Sequence, residues 1–345
     1  MTCDTGKQQM NIILLIGFCL SCGLFEPAQM RFDYSQRLMG ISFDVSVYAS
    51  SEKVANETVE AAYTRVRQLN AIFSDYEPES ELNRLCKTAG TGQAVAVSPE
   101  LWALLLRSAE YSKQSDGAFD VTVGPLVRLW RKARKSKVLP TPEQILAAQK
   151  LVGYEKIRFD HEKKTVELTV PGMQLDLGGI AVGFVCDDIQ KIFHSRGLNR
   201  FMIDASGDLL LGDPPPDEAG WKIGVAPLLN AEDAPPSRHV LLRNAAVSTS
   251  GDAFQHVEFN GIRYSHIVDP KTGLGLTDRS TVVVIAKDCT AADALSTTVS
   301  VLGPERGLKL LTTQPDTAAL IVRATIGRDQ PEIIVSPNFE GFVTK

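Results

Sequence analysis

Residues 256–266 read HVEFNGIRYSH, an Asn-Gly pair between two runs of alternating character. Asn260-Gly261 suits the two positive-φ positions of a type I′ turn, so the chain must double back there as an antiparallel hairpin. A two-residue turn pairs Phe259 with Ile262, Glu258 with Arg263, Val257 with Tyr264 and Gln255 with His266. Period-two alternation then places Ile262, Tyr264 and His266 on one inward face, across from Phe259 and Val257. His256 and Ser265 fall on the other face with the Glu258–Arg263 charge pair, so His256 is expected to face water. His266 keeps two readings. It is either a core histidine held by one hydrogen bond or a chemical group at a strand end. Asp269-Pro270 and Gly273 form a tight turn just beyond it, and the polar loop Ser248–Asp252 is expected to end nearby.

The rest of the chain favours the same antiparallel style. Ile41–Tyr48, Ile157, Val166–Val170, Met173–Leu177, Phe201–Asp204, Trp221–Val225 and 281–286 read as strands. Helices are expected over Asn56–Phe73, from Ser98-Pro99 to Lys113, and at Leu126–Lys137, Pro140–Leu151, Ile180–Arg196 and 291–302. GAFDVTVGP (117–125) reads as a turn into a strand. Strands outnumber long helices and several connect as hairpins, which favours α+β over a doubly wound parallel sheet. The proline-dense segments 213–220 and 231–237 look like surface insertions rather than domain linkers.

With 345 residues, 44% of them apolar and 22% charged, the chain can bury a sizeable core. A formal charge of −5 gives no footprint for nucleic acid. The local basic run Arg128–Lys137 reads as a solvated helix face. Residues 11–25 (NIILLIGFCLSCGLF) are short for a membrane span but fit the core of a signal peptide. Cys22, after Ser21, also invites a lipid-attachment reading. Residues 1–29 are therefore expected to be a signal peptide or a membrane or lipid anchor, preceding a domain over 30–345. Cys86, Cys186 and Cys289 are widely spaced, with no zinc or dithiol pattern among them, and read as isolated buried thiols.

Two further segments carry chemistry. In TAADALSTT (290–298), Asp293, Ser296 and Thr297 share one helical face and form a hard-oxygen set suited to Mg²⁺. The alternative is a capping box, Thr290-x-x-Asp293, in which Asp293 only stabilises the helix start. LDLGGIAVGF (175–184) runs from strand through Gly-Gly to helix. Its backbone N–H groups either face a pyrophosphate, or its glycines simply let strand and helix pack closely. A Rossmann reading, with Asp204 as ribose acid, fits poorly. The glycines are spaced GGxxxG rather than GxGxxG, and Asp176 interrupts the strand.

Their order is informative. MGISFDV (39–45), FSDYEPESELNRL (73–85), GAFDVTVGPLVRLW (117–130), LDLGGIAVGF, SGD (206–208), STSGD (248–252), YSHIVDPKTG (264–273) and DALSTTVSVLGPERGL (293–308) follow one another. The chain thereby resembles the ApbE family, the FAD:protein FMN transferases, over roughly residues 30–312. The resemblance implies a T-fold-like α+β fold with mainly antiparallel sheets and packed helices. It also implies export to the periplasm, often with lipid anchoring. The implied reaction is Mg²⁺-dependent transfer of FMN from FAD onto a Thr/Ser hydroxyl of an acceptor protein, an electron-transfer subunit, with release of AMP. By the same resemblance, Met39, Tyr76, Ala118, Phe119, Asp120, Val182 and Ile267 contact the flavin nucleotide. Gly179 (through its carbonyl), Asp293 and Thr297 hold Mg²⁺, with Ser296 as a neighbour, and His266 is the catalytic base. The chain departs from the family pattern at Val182, where a charged or polar contact is usual, and at Ala205-Ser206, which replaces a glycine-rich run. No segment resembles the acceptor motif. Alternatives left open are an FAD pyrophosphatase giving FMN and AMP, a catalytically silent exported flavin binder and, more remotely, a nicotinamide oxidoreductase.

Overall fold

The structure is a computed structural model that describes residues 29–225, 238–251, 256–324 and 331–343. Residues 1–28 of the expected signal or anchor segment, the 231–237 insertion, Asp252 and Gln255 lie outside the described residues. In chain order, β1 (Met30–Leu38) and β2 (Ile41–Ala49) form a hairpin that leads into α1 (Glu52–Phe73) and α2 (Glu81–Lys87). β3 (Val95–Ala96), α3 (Pro99–Gln114), a 3-10 turn at Val121–Val123, α4 (Gly124–Ser136) and α5 (Pro142–Gln149) come next. β4 (Ile157–Asp160) and β5 (Thr165–Leu168) join β3 in a small sheet. α6 (Ala181–Ser195) precedes β6 (Phe201–Ala205), β7 (Asp208–Leu211), β8 (Trp221–Val225), β9 (Arg238–Leu242) and β10 (Ala245–Gly251). The hairpin β11 (His256–Phe259) and β12 (Ile262–Ser265) then leads to β13 (Ser280–Ala286), α7 (Cys289–Leu311), β14 (Ala318–Arg323) and β15 (Glu332–Val335).

Eight strands form one sheet in the order β1-β2-β6-β7-β10-β13-β14-β15, every neighbour antiparallel. The unbroken apolar run VVVIA (282–286) in β13 follows from burial on both faces. Val282, Val284 and Ala286 enter the core under the helices, while Val283 and Ile285 enter a second core with Trp221, Ile223 and Phe339. α7 packs against both the sheet and α6, which explains why nearly its whole first half is buried. Helix starts follow their signals: Ser51 accepts from Val54 N–H, and Ser98, followed by Pro99, accepts from Leu101 N–H.

Several expectations are corrected. Met173–Leu177 is not a strand. Its groups turn to other partners, with Asp176 N–H on the Val121 carbonyl and Leu175 N–H on Cys86 Sγ. GAFDVTVGP enters a 3-10 turn and α4 rather than a strand, because the Asp120 side chain accepts from Thr122 N–H and caps the turn. α7 extends beyond residue 302, through a non-helical Gly303 (φ 74°) before Pro304. The thiols of Cys86, Cys186 and Cys289, by contrast, are free and buried as expected. No helix among the described residues is long and apolar enough to cross a membrane.

Candidate active site

The Asn-Gly hairpin forms in the register read from the sequence. Phe259 lies opposite Ile262, Glu258 opposite Arg263 and Val257 opposite Tyr264, with Asn260 at φ 51°. His256 is not left to water: Arg263 Nη2 lies 2.6 Å from its Nδ1. Nor is the inward face uniform, because Ile262 is 49% exposed. β12 stops at Ser265, so His266 sits just past the strand rather than within it.

What holds His266 is a second, tighter return. Ser265 N–H donates to the Leu276 carbonyl (2.8 Å) and Leu276 N–H to the Ile267 carbonyl (2.9 Å), pinning the backbone on both sides of His266. Gly273 N–H closes the turn onto the Asp269 carbonyl at 2.8 Å, and Asp269 Oδ1 accepts from Lys271 N–H. This strap is docked on α4 and α5. Trp130 Nε1 donates to the Gly273 carbonyl (2.8 Å), its ring lies against Tyr264, and Gln149 Nε2 donates to the Lys271 carbonyl. Gly273 has φ +71°, and a Cβ there would meet Ile145 Cγ2 at 2.6 Å. Gly273→Ala should therefore lower unfolding free energy by about 1–3 kcal/mol, from backbone strain and overpacking together. Equilibrium denaturation tests this, and an unchanged midpoint would contradict the docking just described.

A second wall comes from the two packed helices. Asp293, 5% exposed, lies in the second turn of α7, and its Oδ2 accepts from Gly183 N–H in α6 at 3.1 Å. It is not part of a capping box. The N-cap of α7 is Asp288, which accepts from Ala291 N–H, and the Thr290 hydroxyl donates to Asp187. Thr297 follows one turn later on the same face. A Cβ on Gly179 would lie 2.9 Å from Thr297 Oγ1, so the Gly-Gly turn can approach this hydroxyl so closely only because residue 179 lacks a side chain. Ser296 is directed elsewhere. Its hydroxyl donates to the Asp293 carbonyl and contacts the hydroxyls of Ser248 and Ser250 in β10.

The carboxyls here are crowded. Burial pushes Asp293 well above the usual carboxylate range, and the charges of Asp208 and Asp187 add to this against the Gly183 amide. Asp208, at the start of β7, is pushed up to about 7 by burial and by Asp204, with the Ser248 hydroxyl opposing.

The remaining walls are the 118–120 loop and the rim around Tyr76. Phe119 N–H donates to Ser115 Oγ. Asp120 spends its carboxylate on the chain itself, accepting from Thr122 N–H, Thr122 Oγ1 and Tyr154 N–H. Met39 forms the β1–β2 tip at φ 51°, steadied by Ser206 Oγ accepting from Ser42 N–H. Tyr76 is 73% exposed, and the Arg131 guanidinium covers one face of its ring at 4.3 Å. Arg131 also pairs with Asp75 and, at 2.9 Å, with Asp176. The basic run is thus only partly a solvated face.

All these parts surround one cleft of about 460 Å³. Met39, Tyr76, Ala118, Phe119, Asp120, Gly179, Val182, His266, Ile267, Asp293 and Thr297 all line it. Asp75, Arg131, Arg134, Asp176 and Asp208 line it too, and had no assigned role in the sequence reading. A lone acid in an apolar run beside Gly-Gly was the available signal for Asp176.

This antiparallel sheet under helices has counterparts among solved flavin transferases. The flavin transferase ApbE from Vibrio cholerae superposes with a TM-score of 0.79 at 27% identity, covering 91% of this chain and 99% of that one. The ApbE protein of Thermotoga maritima gives 0.80 at 28% identity, covering 92% and 100%. Among curated sequences, the FAD:protein FMN transferase of Treponema pallidum is 31% identical over 88% of this chain and 89% of its own length. That of Haemophilus influenzae is 28% identical over 93% and 95%. The ApbE family profile matches residues 39–321, and the chain belongs to that family.

Proposed function

We propose that this protein is a FAD:protein FMN transferase that uses Mg²⁺ to move FMN from FAD onto a threonine or serine hydroxyl of an acceptor protein, releasing AMP. The supporting observation is that a hairpin strap (His266), a glycine turn (Gly179) and a buried helix (Asp293, Thr297) meet in one cleft although far apart in sequence. The donor set suits the cation. Carboxylate, hydroxyl and carbonyl are all hard oxygens, and the close approach of Gly179 to Thr297 leaves no room for a side chain on residue 179. Among the described residues no three His, Cys, Asp or Glu side chains gather as a metal site. One carboxylate with neutral oxygens leaves coordination positions for water and substrate phosphate.

Bound Mg²⁺ supplies neutralisation of the pyrophosphate and of the charge on the leaving phosphate. The chain's own groups do the rest. His266 accepts the proton of the acceptor hydroxyl as its oxygen bonds to the FMN phosphorus and the P–O bond to AMP breaks. Tyr76 offers its uncovered face to a planar ring, while Arg131 backs the other. Phe119 and Val182 contribute apolar wall and exclude water. The reading includes export, with the apolar run 11–25 as signal or anchor and periplasmic electron-transfer subunits as acceptors.

Incubation with FAD and Mg²⁺, with and without a peptide bearing the acceptor motif, tests this by mass spectrometry. The expected product is peptide carrying FMN, with one AMP per transfer. FMN and AMP formed equally without peptide would mark a pyrophosphatase instead. FAD bound but unchanged would mark a silent flavin binder.

A further inference from the structure

We infer that the basic face of α4 beside the cleft mouth, centred on Arg134, docks an acidic segment of the acceptor protein. The inference rests on the transferase reading above and names the chemistry of its partner.

α4 carries two stripes. Leu126, Trp130 and Ala133 are buried, whereas Val127, Arg131 and Arg134 recur at helical spacing along the cleft. The two arginines differ. Arg131 is neutralised by Asp75 and Asp176, but Arg134 pairs with no carboxylate among the described residues. It is half-buried beside Arg131, whose positive charge works with burial to depress its pKa. An arginine held at a cleft against a like charge, without a counter-ion, is electrostatically incomplete. Its surroundings extend the field outward. Lys135 and Lys137 are exposed beyond it, and residues 128–137 hold six cations and no acid in a chain of net charge −5.

FAD does not supply the missing charge. Its only anionic group is the pyrophosphate, which the reading assigns to the Asp293–Thr297 end. Arg134 instead lines the cleft one helical turn from Arg131, which covers Tyr76, where the nucleotide offers an uncharged ring. The acceptor must reach the same mouth to present its hydroxyl. Carboxylates flanking that hydroxyl would complete Arg134 and steer the encounter.

The test uses the full protein loaded with FAD and Mg²⁺, and two labelled peptides in which alanine replaces the acceptor threonine and is flanked either by glutamates or by lysines. Binding is read by fluorescence anisotropy, without turnover. The glutamate peptide should bind more tightly, weaken with salt, and lose at least about tenfold in affinity in Arg134→Glu, while FAD affinity changes by less than about threefold. Arg134→Lys should keep most of the binding. Exposed Lys135→Glu, which perturbs no packed group, should weaken the same peptide by a smaller factor. Equal binding of the two peptides, or an Arg134→Glu loss shared equally by FAD, overturns the inference. So does a variant that loses binding to anionic lipid vesicles while keeping the peptide. Failure of FMN transfer to any peptide would sink the transferase reading but would not alter these binding comparisons.

Discussion

His266→Ala is expected to lower FMN transfer by about 10²–10⁴-fold while FAD affinity moves by less than about threefold. The asymmetry follows from where the residue sits. Its backbone is pinned on both sides by the Ser265–Leu276 and Leu276–Ile267 hydrogen bonds, so truncating the side chain leaves the strap in place. Most cleft lining comes from other elements, including Tyr76, Phe119 and the α6–α7 wall, and these remain to hold the nucleotide. A residue that only filled the core would behave differently. Its removal would lower thermal stability and loosen FAD, with turnover falling in proportion. Single-turnover transfer beside FAD titration separates the two, and near-normal turnover in the variant would end the general-base assignment.

How much of this was legible beforehand depends on whether the deciding interaction is local. The Asn260-Gly261 turn fixed its own register because a type I′ turn needs only its two central residues and the strands on either side. Ser98-Pro99 and Gly197 marked helix ends for the same reason. Met173–Leu177 misled because an apolar, extended run does not state whether a partner strand exists. Here the Val121 carbonyl and the Cys86 thiol take those amides instead. Asp293 looked like a cap in sequence because Thr290 stands three residues before it. The real cap, Asp288, was masked by being two residues earlier, and the true partner of Asp293 is the amide of Gly183, 110 positions away. Arg131 was hidden in the same way. Six cations in ten residues resemble a solvated face until folding brings Asp75 and Asp176 to one of them. The ordered motifs carried the family across these gaps, since they record long-range contacts that spacing alone does not.

Asp293→Asn is the second large effect, with opposite signs on activity and on metal-free stability. Transfer should fall by at least about a hundredfold, and the Mg²⁺ needed for half-maximal rate should rise at least about tenfold, because the only carboxylate in the proposed donor set is lost. In chelator-treated protein the same substitution should leave the melting temperature at pH 8 unchanged or raise it. Asp293 is buried beside Asp208 and Asp187, which holds its folded pKa well above its unfolded value near 4. The folded state therefore keeps a proton that the unfolded chain has already released. The stability tied to that proton is full below the unfolded pKa and is lost as pH climbs through the folded one. Asparagine removes this loss and still offers an oxygen to the Gly183 amide. The stabilisation should accordingly grow from pH 4 to pH 8 and shrink when Mg²⁺ is restored to the wild type. A variant that melts lower at every pH, with its Mg²⁺ requirement unchanged, would make Asp293 a structural tie between α6 and α7 and remove the cation from this wall of the cleft.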